Sequence, residues 1–71
     1  MDRDEIIQKI AENIRIERTR KRMTQETLAE MADITQKYLN TIEHGRANPS
    51  AVVLVNICKA LDVDSKTILG F

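Results

Sequence analysis

The segment TQKYLNT, from Thr35 to Thr41, crowds two carboxamides (Gln36, Asn40), an ammonium group (Lys37) and two hydroxyls (Thr35, Thr41) into seven residues. Each of these groups donates or accepts hydrogen bonds, and none is an activated nucleophile or a general base by itself, so the chemistry on offer is recognition of another polar surface. Ile34, Leu39 and Ile42 recur at helical spacing between them. On a helix those three point inward, Lys37, Asn40, Thr41 and His44 fall on the opposite side, and Gln36 sits at the N-terminal flank.

Catalysis finds little to work with. The chain has one histidine, His44, and one cysteine, Cys58, with no glycine-rich phosphate loop and no paired acid and base. One Cys and one His make neither a chelating set nor an intramolecular disulfide, and Cys58 falls on an apolar helical stripe rather than beside a base. The expectation is a protein without enzyme activity, metal or cofactor, and with no small-molecule effector in evidence.

At 71 residues the chain makes a single domain, 1–71, with a marginal core, so most side chains must serve packing. Hydrophobic residues are 42% and charged residues 31%, while Tyr38 and Phe71 are the only aromatics and glycine and proline total three, a bias that favours helices. The longest apolar run, Ala51 to Val55, is far short of the roughly 20 residues of a membrane span, and the N-terminus is charged rather than signal-like. A cytoplasmic setting is expected. Net charge is zero, yet Arg15, Arg18, Arg20, Lys21 and Arg22 cluster against Glu17 alone, which makes the chain locally basic.

The elements that must position the polar set are helical. Ile6, Ile7, Ile10 and Ile14 predict a first helix from about Asp4 to Lys21, acidic at its start and basic at its end. Thr24 caps a short second helix in which Leu28, Met31 and Ala32 share a face; Thr35 caps a third that ends at Gly45. After the turn RANP, Ser50 caps a fourth helix with Leu54, Ile57, Cys58 and Leu61 as its stripe, running to about Leu61. Asp64 caps a last short helix in which Ile68 and Leu69 pack back and Gly70 closes. Five helices and no sheet follow.

The run MTQETLAEMADITQKYLNTIEHG, residues 23–45, resembles the helix-turn-helix of the phage repressor and Cro class of DNA-binding proteins, with its motif at about 24–45. TQETLA in the first motif helix, DIT at the turn, YLNTIEHG in the second, and NPS followed by ICKALDV carry the resemblance, which extends over about Ile10 to Leu69. It implies an all-α, compact five-helix phage-repressor-like domain and a transcriptional regulator that sets a recognition helix, about 35–44, in the major groove of double-stranded DNA. The length is also similar to that of the small controller proteins of restriction-modification systems.

In a groove, Gln pairs with adenine, Lys donates to guanine acceptors, and Thr touches a thymine methyl or donates. The resemblance therefore implies base contacts from Thr35, Gln36, Lys37, Asn40 and Thr41, and phosphate contacts from Thr24, Gln25, Tyr38, Arg46 and Asn48. Arg18 and Glu43, each at the edge of its apolar stripe, are expected to form a structural ion pair between the first and third helices.

Two positions where the family often carries glycine hold Arg22 and Asp33, and a left-handed backbone is costlier for Arg than for Asp. Val52 and Val55 lie off the fourth helix's stripe, where the family more usually carries polar residues; with Leu69 and Phe71 they suggest a two-fold dimer interface. A homodimer would read an inverted repeat. With no room for an effector domain, regulation is expected to follow protein concentration. The competing reading is an antitoxin or protein-interaction adaptor that keeps the fold without reading DNA.

Overall fold

A computed structural model describes residues 1–70. It consists of five helices: α1 (Arg3–Arg20), α2 (Gln25–Met31), α3 (Gln36–Glu43), α4 (Ala51–Leu61) and α5 (Ser65–Leu69). Each starts the same way. The side chains of Asp2, Thr24, Thr35, Ser50 and Asp64 stand in extended backbone and accept the backbone N–H three residues on, from Glu5, Thr27, Tyr38, Val53 and Thr67. Such a cap contributes about 1 kcal/mol by satisfying a donor that the helix itself cannot.

Four helices also end the same way. At Arg22, Asp33, Gly45 and Asp62 the backbone turns left-handed, with φ of 58°, 60°, 69° and 56°. The next residue then donates its N–H back to the carbonyl five positions earlier: Met23 to Arg18, Ile34 to Ala29, Arg46 to Thr41 and Val63 to Cys58, at 3.0–3.1 Å. Only one of the four turning residues is glycine, so the closing hydrogen bonds and the side chain that follows must offset the steric cost. Met23, Ile34 and Val63 do so by packing against the core. The fourth, Arg46, is exposed.

Ile10, Ile14, Leu28, Leu39, Ile42, Ile57, Leu61 and Ile68 fill the centre, with small Ala29 and Ala32 allowing α2 to approach its neighbours closely. Helix α2 packs on α3 and α4, and α1 packs on α3 and α5. Two assignments made from helical spacing do not hold. Ile6, expected on the inward stripe of α1, is 40% exposed because the first turn runs past the end of the core, leaving Ile7 half-buried and Ile10 as the first buried isoleucine. Met31, expected to share an inward face with Leu28 and Ala32, is 55% exposed, since a seven-residue helix buries only the narrow side carrying Leu28, Ala29 and Ala32. None of the helices is long and apolar enough to cross a membrane.

Candidate nucleic-acid interface

Helix α3 is held from behind and below. Leu39 and Ile42 are at most 1% exposed, and Ile34 and Tyr38 pack partly buried at the flank, so the helix has no freedom to roll. Its C-terminal end is fixed by Glu43, a carboxylate only 1% exposed. Arg18 of α1 grips that carboxylate with two bonds, Nε to Oε2 at 2.8 Å and Nη2 to Oε1 at 3.0 Å, while its Nη1 donates to the Met23 carbonyl at 2.9 Å. Gln25, at the start of α2, donates its Nε2 to the same carboxylate at 3.2 Å. Arg15 adds a fourth tie by donating to the backbone carbonyl of Glu43. Three helices thus converge on one buried acid.

The consequence for charge is that the basic cluster at the end of α1 is partly neutralised. Arg18 is spent on Glu43, and Arg20 stands 3.6 Å from Glu17. Lys21, Arg22, Lys37 and Arg46 remain exposed cations.

The outward face of α3 carries Gln36, Lys37 and Asn40, all exposed, with Thr41 half-exposed beside them. Several of these groups are engaged. Thr35 accepts the Tyr38 N–H as the cap. Thr41 donates its hydroxyl to the Lys37 carbonyl at 3.0 Å, which leaves its oxygen lone pairs free to accept. His44 makes a 2.7 Å bond between Nδ1 and the Asn40 carbonyl; since a carbonyl only accepts, Nδ1 carries the hydrogen. Asn40 accepts at Oδ1 from Gln25 Nε2 at 3.2 Å.

At the start of α2, Thr24 accepts the Thr27 N–H and donates its hydroxyl to Thr27 Oγ1, both at 3.0 Å. The segment after α3 is pinned by buried Pro49 and half-buried Ala47, and between these anchors Arg46 and Asn48 are exposed. On α4, Val52 and Val55 are 70% and 50% exposed. Val55 lines a groove of about 290 Å³ between α4 and α5, together with Leu54, Cys58, Val63, Ile68 and Leu69. Phe71 lies outside the described residues.

Not foreseen from the sequence were the ties of Arg15 to the end of α3, of Gln25 to Glu43 and Asn40, of Gln8 Nε2 to the Gly45 carbonyl at 3.3 Å, and of Asn13 Nδ2 to the Ile68 carbonyl at 2.8 Å, which fastens α5 to α1. The spacing of Arg15 and Arg18, one helical turn apart, was a usable signal for the first. Among the described residues no group of three or more His, Cys, Asp or Glu side chains is placed to hold a metal.

Comparison with known proteins follows the same lines. Residues 14–68 match the family described as Helix-turn-helix. The chain is 34% identical to the immunity repressor protein of Bacillus phage phi105 over 61 residues, covering 86% of this chain and 42% of the repressor. It is 37% identical over 46 residues to an uncharacterized HTH-type transcriptional regulator, y4dJ, of Sinorhizobium fredii, covering 65% of this chain and 60% of that protein. The chain thus spans less than two thirds of the length of either relative. Among solved structures it resembles the restriction-modification controller protein C.AhdI from Aeromonas hydrophila, with a TM-score of 0.85 and 31% identity over 87% of this chain and 94% of that one. With this match, and with five helices arranged around a helix-turn-helix, the chain belongs to the helix-turn-helix family of phage-repressor and Cro type, a family of DNA-binding transcriptional regulators.

Proposed function

We propose that this chain is a sequence-specific double-stranded DNA-binding regulator of transcription that lays α3 in the major groove and binds an inverted repeat as a homodimer. The observation that carries the reading is the contrast within α3. One face is locked by Leu39, Ile42 and the Glu43 cluster, while the other presents Gln36, Lys37, Asn40 and Thr41 to solvent. A pre-ordered polar face loses little freedom on binding, which is what base reading through a few hydrogen bonds requires.

On this reading Thr35, Gln36, Lys37, Asn40 and Thr41 meet base edges, while Thr24, Gln25, Tyr38, Arg46 and Asn48 meet phosphates and set register. Gln25 contributes through its backbone N–H, because both side-chain N–H groups are committed to Glu43 and Asn40. Of the residues that follow Arg22, Asp33, Gly45 and Asp62, Arg46 alone is not packed on the core, in keeping with a task outside the protein. Two recognition helices about 34 Å apart match successive major grooves on one side of the duplex, and a two-fold dimer through Val52, Val55, Leu69 and Phe71 supplies that pair.

Selection of bound sequences from random duplex DNA, followed by titration of the enriched site against salt, tests the proposal. An enriched inverted repeat with a steep salt dependence supports it. Binding without any enriched sequence sinks it.

A further inference from the structure

Helix α1 holds both the reading helix and the end of α5, with side chains set close together. Arg15 donates to the Glu43 carbonyl and Arg18 to the Glu43 carboxylate, at the end of α3. Two residues before Arg15, Asn13 donates its Nδ2 to the Ile68 carbonyl at 2.8 Å, in a part-buried bond. Asn13 to Arg18 spans about 8 Å of one unbroken helix, so the two attachments share a rigid support.

Helix α5 needs its attachment. It has five residues, too few to be stable alone, and its other supports are the Asp64 cap at its start and the wholly buried Ile68 side chain. The Ile68 carbonyl lies in the last turn, where a helix leaves its carbonyls without internal partners. The peptide plane that contains this carbonyl also contains the Leu69 nitrogen. The Asn13 bond therefore fixes the plane from which Leu69 projects toward the groove between α4 and α5.

In the dimer proposed above, Leu69 stands with Val52 and Val55 at the two-fold interface. The α4 part of that interface is tied to α3 through α2, which packs on both, and the α5 part is tied to α3 through α1. Two-fold symmetry doubles any change of angle between α5 and α3, and one base pair of half-site separation is only about 3.4 Å and 34° along the duplex. A small swing of α5 is thus felt in the separation that fits.

We infer that Asn13 is a positioning residue that sets the distance and twist between the two recognition helices, and with them the half-site separation that the dimer accepts. The role rests on the dimer and inverted-repeat reading and adds to it the residue that fixes the spacing. Asn13 acts through α5 and not on a base, so base preference within a half-site is independent of it.

The test is selection by full-length protein from duplexes that carry two inverted copies of the half-site enriched by the unmodified chain, their separation varied in single base pairs. Asn13→Leu, which keeps the bulk and loses the donor, is compared with the unmodified chain, alone and in urea that lowers its stability to that of the variant. The unmodified protein should enrich one separation. Asn13→Leu should lower the preference over separations one base pair longer and shorter by roughly two- to tenfold, which is what one hydrogen bond of ordinary strength supplies. Base preference within the half-site should be the same in both.

An unchanged spacing preference in Asn13→Leu overturns the inference, and so does equal broadening in the urea-matched unmodified chain. An unmodified protein that sediments as a monomer on DNA, or enriches only a single half-site, removes the parent reading and this role with it; that failure shows in the unmodified chain before any variant is made. Solvent exchange of the Asn13 side-chain amide protons reads the tie whether or not the variant folds: one slowed proton supports it, and two exchanging at the rate of a free amide refute it.

Discussion

Arg18 and Glu43 meet through two parallel hydrogen bonds of 2.8 and 3.0 Å, yet they are unequally placed: the Arg18 side chain keeps 19% of its exposure and the Glu43 side chain 1%. The pair is therefore asymmetric in what its loss does. Arg18→Met leaves a carboxylate buried with only Gln25 to answer it, at a cost of about 3 kcal/mol. For a domain this small that lowers the melting temperature by roughly 12–24 °C. Glu43→Gln leaves a guanidinium that still reaches water and the Met23 carbonyl, so its cost should be nearer about 1–2 kcal/mol. Urea unfolding of the two variants checks the order; equal losses would contradict the burial argument.

The backbone at Arg22 and Asp33 gives a second ordered comparison. Both sit left-handed, at φ of 58° and 60°, in the same helix-ending motif. Asp tolerates this region better than Arg, so Arg22→Gly should stabilise by about 0.5–1 kcal/mol and Asp33→Gly by less. Thermal melts decide it. A loss of stability in Arg22→Gly would mean that its side chain holds the turn in a way its exposure does not suggest.

What was legible in the sequence and what was not divides along a physical line. Ser, Thr and Asp ahead of an apolar run mark helix starts because capping is local chemistry, and Thr24, Thr35, Ser50 and Asp64 are all caps in the structure. Burial near helix ends is not local: Ile6 and Met31 continue an apolar spacing that simply outlasts the core. The left-handed endings were visible at Gly45 but not at Asp62, where no glycine announces the turn. For the candidate site, the outward set on α3 follows from helical spacing alone. The engagement of Gln25 with Glu43 and Asn40 joins residues 18 and 15 positions apart, and no sequence periodicity encodes such a contact.

Base and phosphate contacts should separate under mutation. Gln36→Ala and Lys37→Ala should each cost roughly 1–3 kcal/mol at the preferred site and relax base preference at their own positions. Arg46→Ala should weaken all sequences alike and reduce the slope of affinity against salt by about one unit. Fluorescence titrations on the selected site and on a scrambled one, at several salt concentrations, give both quantities. Equal effects of all three variants on every sequence would dissolve the division of roles.

The exposed side of α4 carries the dimer prediction. Val52 and Val55 are exposed on α4, and Val55 lines the groove between α4 and α5, so replacing both with Ser should leave unfolding free energy within about 0.5 kcal/mol of the original while abolishing association. Sedimentation at micromolar concentration, free and on DNA, reads the outcome. A monomeric unmodified chain under both conditions removes the proposed interface.

Cys58 lines the same groove, and its thiol is held above the ordinary range first by burial and then by the negative charge of Asp64. The thiolate is the reactive form, so a thiol-specific reagent at neutral pH should modify Cys58 far more slowly in the folded protein than in urea. The sign for stability follows from the same shift. Because the folded state holds the proton more tightly, the contribution is complete below the unfolded thiol's pKa and is lost as pH rises through the folded value. Asp64→Asn separates the two causes, since Asn still caps α5 but carries no charge. It should raise the labelling rate only in part, leaving the larger effect of burial in place; a rate equal to that of the unfolded chain would show that charge, and not burial, protects the thiol.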